Sequence, residues 1–426
     1  MNNVNASIIT IGDELLIGQT IDTNSAFIAR ALNEIGVWVH RRVAIGDQAA
    51  AITKALDTEK EMASIIILTG GLGPTADDKT KDALCQYFGG KMVINKDALQ
   101  QIKKLFEKVY PNQQQIIERN LQQAEVPDVC TVLPNKRGSA PGMLFSTGEK
   151  NKDFKIFISL PGVPYEMEGL ITDEVIPYIQ KNFDLPAIVH KTALTAGKGE
   201  SIIAEMLSSF EKDLPKEIQL AYLPNYGLVK LRLTAFGHDK QTLENKIEPY
   251  FQKMLSLVHD NLVTDKDEEL AAVVGRLLME KNKTIGTAES CTGGYIAHQL
   301  TAIPGSSAYY AGSVVSYSYE AKEKILGVHH ETLLNFGAVS EETVTEMAKG
   351  ALKTLETDYV IAVSGIMGPG GSTPDKPVGT VWMAVADANT IQTRQLNLRF
   401  NRQKNIEITA ARALNMLRLF ICERLV

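Results

Sequence analysis

Ser64-Ile65-Ile66-Ile67-Leu68-Thr69-Gly70-Gly71-Leu72-Gly73-Pro74 and Tyr359-Val360-Ile361-Ala362-Val363-Ser364-Gly365-Ile366-Met367-Gly368-Pro369 read alike: an apolar run, a hydroxyl residue, then Gly-x-x-Gly-Pro. Each run is short, rich in β-branched residues and free of alternation, as expected of a strand buried on both faces. In open α/β sheets, ligands bind beyond the carboxyl ends of strands. Each ending therefore marks a candidate pocket, and the chain holds two. Around the first run, 7–11 reads as a strand ending at Gly12 and 24–32 as a helix, with Asn24 as its N-cap. A strand at 37–43 and a helix at 48–56 follow. This alternation predicts a parallel sheet covered on both faces.

From about residue 171 the pattern changes. Residues 185–195 are extended, 200–210 helical, 218–223 and 228–236 a hairpin around Pro224-Asn225-Tyr226-Gly227, and 241–257 helical. The acidic stretch Asp265-Lys266-Asp267-Glu268-Glu269 then opens a helix carrying Leu270, Val273, Val274, Leu277 and Leu278. Alternation resumes with strand 284–288, helix 294–300, strand 313–317, helix 341–355, strands 359–363 and 380–386, and a helix from about 404. The predicted architecture is two α/β domains with mainly parallel sheets, 1–170 and 261–426, joined by a small α+β module, 171–260. A chain of 426 residues accommodates three such units.

Composition narrows the function. Charged residues make up 22% and hydrophobic ones 44%, which excludes a disordered or fibrous chain. The net charge of −6, with Lys and Arg scattered, argues against a dedicated nucleic-acid partner. Cys85, Cys130, Cys291 and Cys422 are far apart and form no C-x-x-C, so neither a disulfide framework nor a zinc site is expected. No apolar run approaches the ~20 residues that span a bilayer, and the start has no basic region before an apolar one. A cytoplasmic protein without membrane partners is expected.

The first pocket is the ten-residue run Thr69-Gly70-Gly71-Leu72-Gly73-Pro74-Thr75-Ala76-Asp77-Asp78. Thr69, Gly70, Gly71 and Gly73 let backbone approach a ligand and turn N–H groups toward an anion. Asp77 and Asp78 suit a divalent cation held partly through substrate phosphates. Gly12-Asp13-Glu14 and Gly46-Asp47 end the first two strands, so five carboxylates have the chance to gather at one sheet edge, with Asp13, Glu14, Asp77 and Asp78 as metal ligands. Taken singly, each Gly-Asp pair also reads as turn chemistry.

The second pocket starts at Ala288-Glu289-Ser290-Cys291-Thr292-Gly293-Gly294, after a strand and before a helix. Ser290 there is placed for nucleophilic attack, beside helix N–H donors from Gly293 and Gly294. Tyr317 and Lys322 offer a base, since burial lowers a lysine's pKa. Ser364 to Gly371 is a second anion-cradling loop without G-x-G-x-x-G spacing, so a dinucleotide fingerprint or P-loop is disfavoured. The same residues also fit plainer roles: Ser290 as an N-cap, Cys291 as a core thiol, Tyr317 as a strand residue and Lys322 as a solvated one.

A family resemblance sharpens these readings. Ile11 to Gly18, Asp22-Thr23-Asn24-Ser25 and Thr69 to Asp78 resemble the molybdopterin-binding fold of MoaB- and MogA-type proteins. Arg119-Asn120, Gln123-Ala124, Leu133-Pro134-Asn135, Gly138-Ser139-Ala140-Pro141-Gly142 and Leu160-Pro161-Gly162-Val163-Pro164 narrow it to the CinA family. The resemblance implies metal-dependent hydrolysis of ADP-ribose to AMP and ribose 5-phosphate, or pterin binding without hydrolysis. A divalent ion is the implied cofactor, with K+ a further candidate. Asp47 and Asp78 fall where relatives carry functional aspartates, and Asn24 is a further substrate-binding candidate. Thr195 to Ser201 and Ala221-Tyr222-Leu223-Pro224 match the family's KH-like module. Gly197-Lys198-Gly199-Glu200 lacks the basic GXXG loop of RNA binders, so a linking or dimer-forming role is favoured.

In the last third, Glu289 to Gly294, Pro304-Gly305-Ser306-Ser307, Tyr317-Ser318 with Glu320-Ala321-Lys322, Gly337-Ala338-Val339-Ser340, and Lys376-Pro377-Val378-Gly379-Thr380-Val381 resemble the nicotinamide-nucleotide amidase domain. That implies conversion of nicotinamide mononucleotide to nicotinate mononucleotide and ammonia without a cofactor. Ser290 would attack, and Tyr317 with Lys322 would handle the proton. Glu289, Thr292, Gly293, Gly294, Gly365, Gly368, Gly370 and Arg402 would bind substrate. Asn401 stands where an acid often precedes Arg402. The family further implies a homodimer. The competing class is a pterin- or nucleotide-binding scaffold with one or both sites inactive.

Overall fold

The computed structural model describes residues 4–75, 78–109, 121–149, 152–225 and 227–423. Ala76, Asp77, Arg119, Asn120 and Tyr226, named above, lie outside them. The chain divides into two compact units, Met1–Val189 with Phe236–Glu244, and His190–Ala235 with Asn245–Val426. Both are mixed α/β.

The first unit runs β1 (Asn5–Ile11), a helical turn α1 (Asp13–Leu16), α2 (Thr23–Glu34), β2 (Trp38–Ile45), α3 (Ala49–Glu59), β3 (Ile65–Thr69), α4 (Thr80–Tyr87), β4 (Met92–Ile94), α5 (Lys96–Val109), β5 (Glu125–Pro127), β6 (Thr131–Leu133), β7 (Gly142–Thr147), β8 (Lys155–Leu160), α6 (Pro164–Leu170) and α7 (Ile176–Asn182). Its sheet has the order β2-β1-β3-β8-β7-β6. The first four are parallel, and β7 and β6 continue the sheet antiparallel. The apolar runs bury both faces, as their sequences imply. Ile8, Ile67 and Ile158 share a row and pack on Ile28 and Leu32 of α2 and Met167 and Leu170 of α6. Ile9, Ile66, Leu68 and Phe157 face the opposite way, onto Ile52 and Leu56 of α3 and Leu84 of α4.

The second unit holds most of a four-stranded sheet, order β10-β11-β9-β12, formed by β9 (Ala187–Ala196), β10 (Ile218–Asn225), β11 (Leu228–Gly237) and β12 (Leu262–Thr264) with α8 (Glu200–Lys212) and α9 (Lys240–Leu257). There follow α10 (Leu270–Glu280), β13 (Ile285–Glu289), α11 (Tyr295–Thr301), β14 (Tyr310–Val315), α12 (Tyr319–Leu326), α13 (His330–Phe336), α14 (Glu341–Leu355), β15 (Tyr359–Gly365), β16 (Thr380–Ala386), β17 (Ile391–Asn397) and α15 (Arg402–Ile421). The order β14-β13-β15-β16-β17 is parallel in its first three strands and antiparallel in its last two. One face packs Ala288, Val360 and Ala362 on Val344, Met347 and Ala351 of α14. The other packs Ile285, Ile361 and Val363 among Val274 and Leu278 of α10 and Leu414 and Leu417 of α15. All three parallel strands end at the same edge, and that edge carries Ser290.

Two local readings change. The N-cap of α2 is Asp22, whose carboxylate accepts from the Ser25 N–H at 2.9 Å. Asn24 lies inside the helix and points its amide elsewhere. Tyr317 falls after β14 rather than within it. Among the described residues no helix is long and apolar enough to cross a membrane. The cap correction has a measurable consequence. Asp22→Ala should lower urea-unfolding stability by about 1 kcal/mol, the usual loss of an N-cap, whereas an unchanged midpoint would show that the Asp22 contacts contribute nothing net.

Candidate functional site

In the first unit, β3 runs into its glycine loop against β1 and β8. Gly70 has φ +117°, and a Cβ there would collide with the Ile11 carbonyl, so the close approach requires glycine. Thr69 Oγ1 donates to the Pro161 carbonyl at 2.9 Å and accepts from Asn24 Nδ2 at 3.1 Å. The Asn24 amide also donates to Gly162 O at 2.8 Å. Asn24 therefore ties α2 to both loops that end this sheet. Thr69, Gly70, Asn24 and Glu14 line one cavity of about 130 Å³. Gly73, Pro74, Gln123, Ser139 and Glu166 line a second of about 440 Å³. Gly162 belongs to both. Gly71 packs on Thr80.

The predicted gathering of carboxylates is only partly seen. Asp47 accepts from the Asp13 N–H at 3.1 Å, so those two meet. Asp78 instead closes its own loop, accepting from the Thr75 N–H at 2.9 Å and from the Thr75 hydroxyl, beside Gly73. Among the described residues no three His, Cys, Asp or Glu side chains gather as a group that could hold a metal ion. Asp13, Glu14 and Asp78 thus do not form the ligand set expected of them, and for Asp78 a short Asx-type bond to the Thr75 backbone claims the carboxylate first. The described residues do not fit a resident metal centre.

Two titratable groups here escaped the sequence reading. Burial raises the Glu166 carboxyl above its ordinary range, although Asn135 Nδ2 donates to it at 2.6 Å. Burial also lowers Lys81 to about 8, its ammonium donating to Gln123 O at 2.8 Å. Glu166 lies two residues after the Leu160–Pro164 block, the one signal that pointed toward it.

The second unit's site is built more tightly. Ser290 follows β13, its N–H donating to Val363 O of β15 at 3.0 Å. Lys322, on α12, is fully buried and places Nζ 2.9 Å from Ser290 Oγ. The same nitrogen donates to Ser316 O at 2.7 Å and Tyr317 O at 3.3 Å. Burial lowers Lys322 to about 8. A neutral amine has two N–H bonds and one lone pair. The two carbonyls take the hydrogens, leaving the lone pair for the Ser290 hydroxyl. Cys291, next in the chain, is no competitor as nucleophile, since burial pushes its thiol up to about 12.

Other predicted residues take different positions. The Tyr317 phenol accepts from Arg402 Nη2 at 3.1 Å, and Arg402 Nη1 donates to Gly368 O at 2.9 Å. What Tyr317 brings to Lys322 is its carbonyl. Glu289 is wholly buried and caps α11, accepting from the N–H groups of Gly294 at 3.0 Å, Ile296 at 3.1 Å and Ala297 at 2.8 Å, and from Thr292 Oγ1 at 2.7 Å. Glu289, Thr292 and the Gly294 N–H are thereby used internally rather than offered to a ligand. The Gly293 N–H returns to Ser290 O at 3.2 Å. Among the described residues, the N–H groups of Cys291 and Thr292 have no protein acceptor, and these remain for a developing oxyanion. Gly365 ends β15, and Gly370 sits in open space beyond Gly368. Asn401 caps α15, accepting from the Lys404 N–H at 2.9 Å, so an amide here does an acid's capping work. Asn405, missed in sequence, is fully buried and donates to Met367 O at 3.1 Å and Phe400 O at 2.9 Å, pinning the loop that bears Gly368.

Fold and site together define a multidomain α/β protein pairing a glycine-loop unit with a buried Ser–Lys pair. Family models agree along the chain: a probable molybdopterin binding domain over residues 7–181, the damage-inducible protein CinA KH domain over 190–263, and the CinA C-terminal domain over 267–421. A CinA-like protein of Flavobacterium psychrophilum is 45% identical over 413 residues, covering 97% of each chain. One of Cytophaga hutchinsonii is 42% identical over 416 residues, covering 98% of each. The crystal structure of competence/damage inducible protein CihA from Agrobacterium tumefaciens is 40% identical, covers 35% of this chain and 92% of its own, and has a TM-score of 0.35. The chain belongs to the CinA family.

The buried amine predicts a pH signature. Between about 8 and its ordinary 10.5, Lys322 is deprotonated in the folded chain and protonated in the unfolded one. The unfolded state then binds more protons, so this site's contribution to stability rises with pH across that window. Wild type should gain about 1–2 kcal/mol over Lys322→Met between pH 7.5 and 9.5 in urea unfolding. A pH-independent difference would mean that the amine titrates as a solvated one.

Proposed function

We propose that the second unit hydrolyses the carboxamide of nicotinamide mononucleotide, yielding nicotinate mononucleotide and ammonia. The observation that carries this is the fully buried Lys322 Nζ at 2.9 Å from Ser290 Oγ. Ser290 Oγ attacks the carboxamide carbon while its proton passes to the Lys322 lone pair. The oxyanion is met by the Cys291 and Thr292 N–H groups. Collapse breaks the C–N bond, and the Lys322 ammonium returns the proton to the departing nitrogen, releasing ammonia and leaving an ester on Ser290. A water, deprotonated by the same amine, cleaves that ester. Arg402 holds Tyr317 and Gly368 at the mouth and is the cation available to the substrate phosphate. Tyr317, its phenol occupied by Arg402, shapes the entrance rather than relaying the proton.

For the first unit we propose hydrolysis of ADP-ribose to AMP and ribose 5-phosphate, supported by the family resemblance and by the glycine loop shared between two cavities. A homodimer in the cytoplasm completes this reading.

Ser290→Ala should abolish ammonia release and leave nicotinamide mononucleotide binding largely intact. Lys322→Ala should cost about 10²–10⁴-fold, and the double variant little more than the worse single one. Activity within about tenfold of wild type in Ser290→Ala would overturn the nucleophile assignment. In wild type, kcat/KM should rise with pH to a plateau above about 8, because only the neutral amine accepts the proton. A profile flat from pH 6 to 9 would remove Lys322 from the role of base.

For the first unit, Asp47→Asn should reduce AMP release from ADP-ribose and spare ammonia release. Equal loss of both would indicate misfolding, and unchanged AMP release would remove Asp47 from the site.

A further inference from the structure

Within the second unit, Asn225 at the end of β10 and Gly227 and Leu228 at the start of β11 line, with β17 and the start of α15, a cleft of about 740 Å³. Neither motif block accounts for it. One wall is apolar: Leu228, Leu398, Phe400 and Ile408. Phe400 is 53% exposed, a large ring left open to the cleft side of its loop. Amides from Asn225, Gln395 and Asn397 line the rest, with a single carboxylate, Glu200, at the start of α8.

The charges are what make the cleft unusual. Arg412 lies half-buried in it, its guanidinium packed on Gly227, where φ is +84° and any Cβ would press against the guanidinium nitrogens. No carboxylate or other acceptor partners Arg412 among the described residues. Lys404, about two turns earlier on α15, lines the same cleft. Arg394 on β17 is close enough that, after burial itself, its charge is what destabilises the Arg412 cation. A half-buried guanidinium beside a second one, with the cleft's single carboxylate, Glu200, not paired to it, is a site that gains from an incoming anion. The planar fork of Arg matches a phosphate, and the apolar wall with its open ring and amides matches a heterocycle.

We propose that this cleft binds a nucleoside 5′-monophosphate, its phosphate on Arg412 and Lys404 and its base against Phe400 and the neighbouring amides. The position gives binding a route to the Ser290 site. Phe400 and Lys404 flank Arg402, and Asn405 ties Phe400 O to Met367 O in the loop that carries Gly368. The assignment does not rest on the amidase reading, because it is read out by binding.

The test is calorimetric titration of the full chain with AMP, with inorganic phosphate and with adenosine. Wild type should bind AMP saturably below about 1 mM, within the usual range of small-ligand affinities, and bind phosphate or adenosine alone at least about tenfold more weakly. Arg412→Gln should weaken one AMP site at least about tenfold, as expected for losing a charge-assisted phosphate contact, and leave unmoved any AMP held as product by the first unit. Lys404→Gln, an exposed change that folding tolerates, should weaken it about threefold. Both should leave ammonia release without AMP within about twofold of wild type. Should Arg412→Gln misfold by its melting curve, Lys404→Gln decides alone. AMP binding that neither variant moves, or none by wild type at 5 mM on the ~1 mM scale above, overturns the proposal. Phosphate binding as tightly as AMP overturns the nucleotide assignment.

Discussion

An amine buried from water at the edge of a sheet constrains everything around it. Taking an ammonium into the interior is costly, and the chain meets that cost by lowering Lys322 to about 8, where the neutral amine becomes accessible, and by giving its hydrogens two carbonyls. Those carbonyls, of Ser316 and Tyr317, are free because β14 ends at Val315 and the backbone leaves the ladder before α12 begins. The parallel pairing of β13 with β14 and β15 then fixes where Ser290 emerges. A shift of one residue in either strand would move the hydroxyl away from the amine, so sheet register and the Ser290–Lys322 contact are a single constraint.

Glu289 shows the complementary solution. It is buried next to Ser290, yet three N–H groups and the hydroxyls of Thr287 and Thr292 saturate its carboxylate at the start of α11. This holds the turn 290–294 in shape and leaves Cys291 and Thr292 N–H as the unclaimed donors. The helix terminus that sequence suggests as an anion site is thus closed by the protein's own anion. In the first unit Asp78 is likewise absorbed locally, by Thr75, and Asp47 accepts from the Asp13 N–H, so among the described residues the dense carboxylates of the sequence do not gather as a metal cluster.

The legible part of the fold was that governed by burial. Runs such as 65–69 and 359–363 have no polar face, and only a two-sided sheet accommodates them. Other strands escaped, among them the buried β8, Lys155–Leu160. Ile391–Asn397 carries mostly polar residues and adds to the sheet through backbone pairing with β16, which side-chain pattern hardly records. The three-residue strands at 92–94, 125–127 and 131–133 are too short to show a period at all. At the sites, residue type and spacing nominated Ser290 and Lys322, but not the partner of Tyr317. Whether a phenol five residues from a lysine turns toward it depends on where the strand ends and on Arg402, which arrives from the far end of the domain. Asn24 failed as a cap for a similar reason: Asp22, two residues earlier, is the better-placed acceptor, which frees the Asn24 amide to bridge two loops.

The role of α15 follows from these bonds. Asn401 caps it, Arg402 reaches Gly368 and Tyr317, Asn405 holds Met367 and Phe400, and further along Leu414 and Leu417 lie in the core against β15 and α10. A helix anchored so deeply is rigid, and its first turn therefore presents Arg402 at a fixed height over the Ser290 edge. An amide at 401 keeps the capping bond without adding a negative charge beside Arg402, so the guanidinium's charge is not offset from that side. An acid at that position would cap equally well but compete for the same cation. The Asn401 variation is thus a change in the electrostatics of the site entrance, at no loss to the helix that builds it.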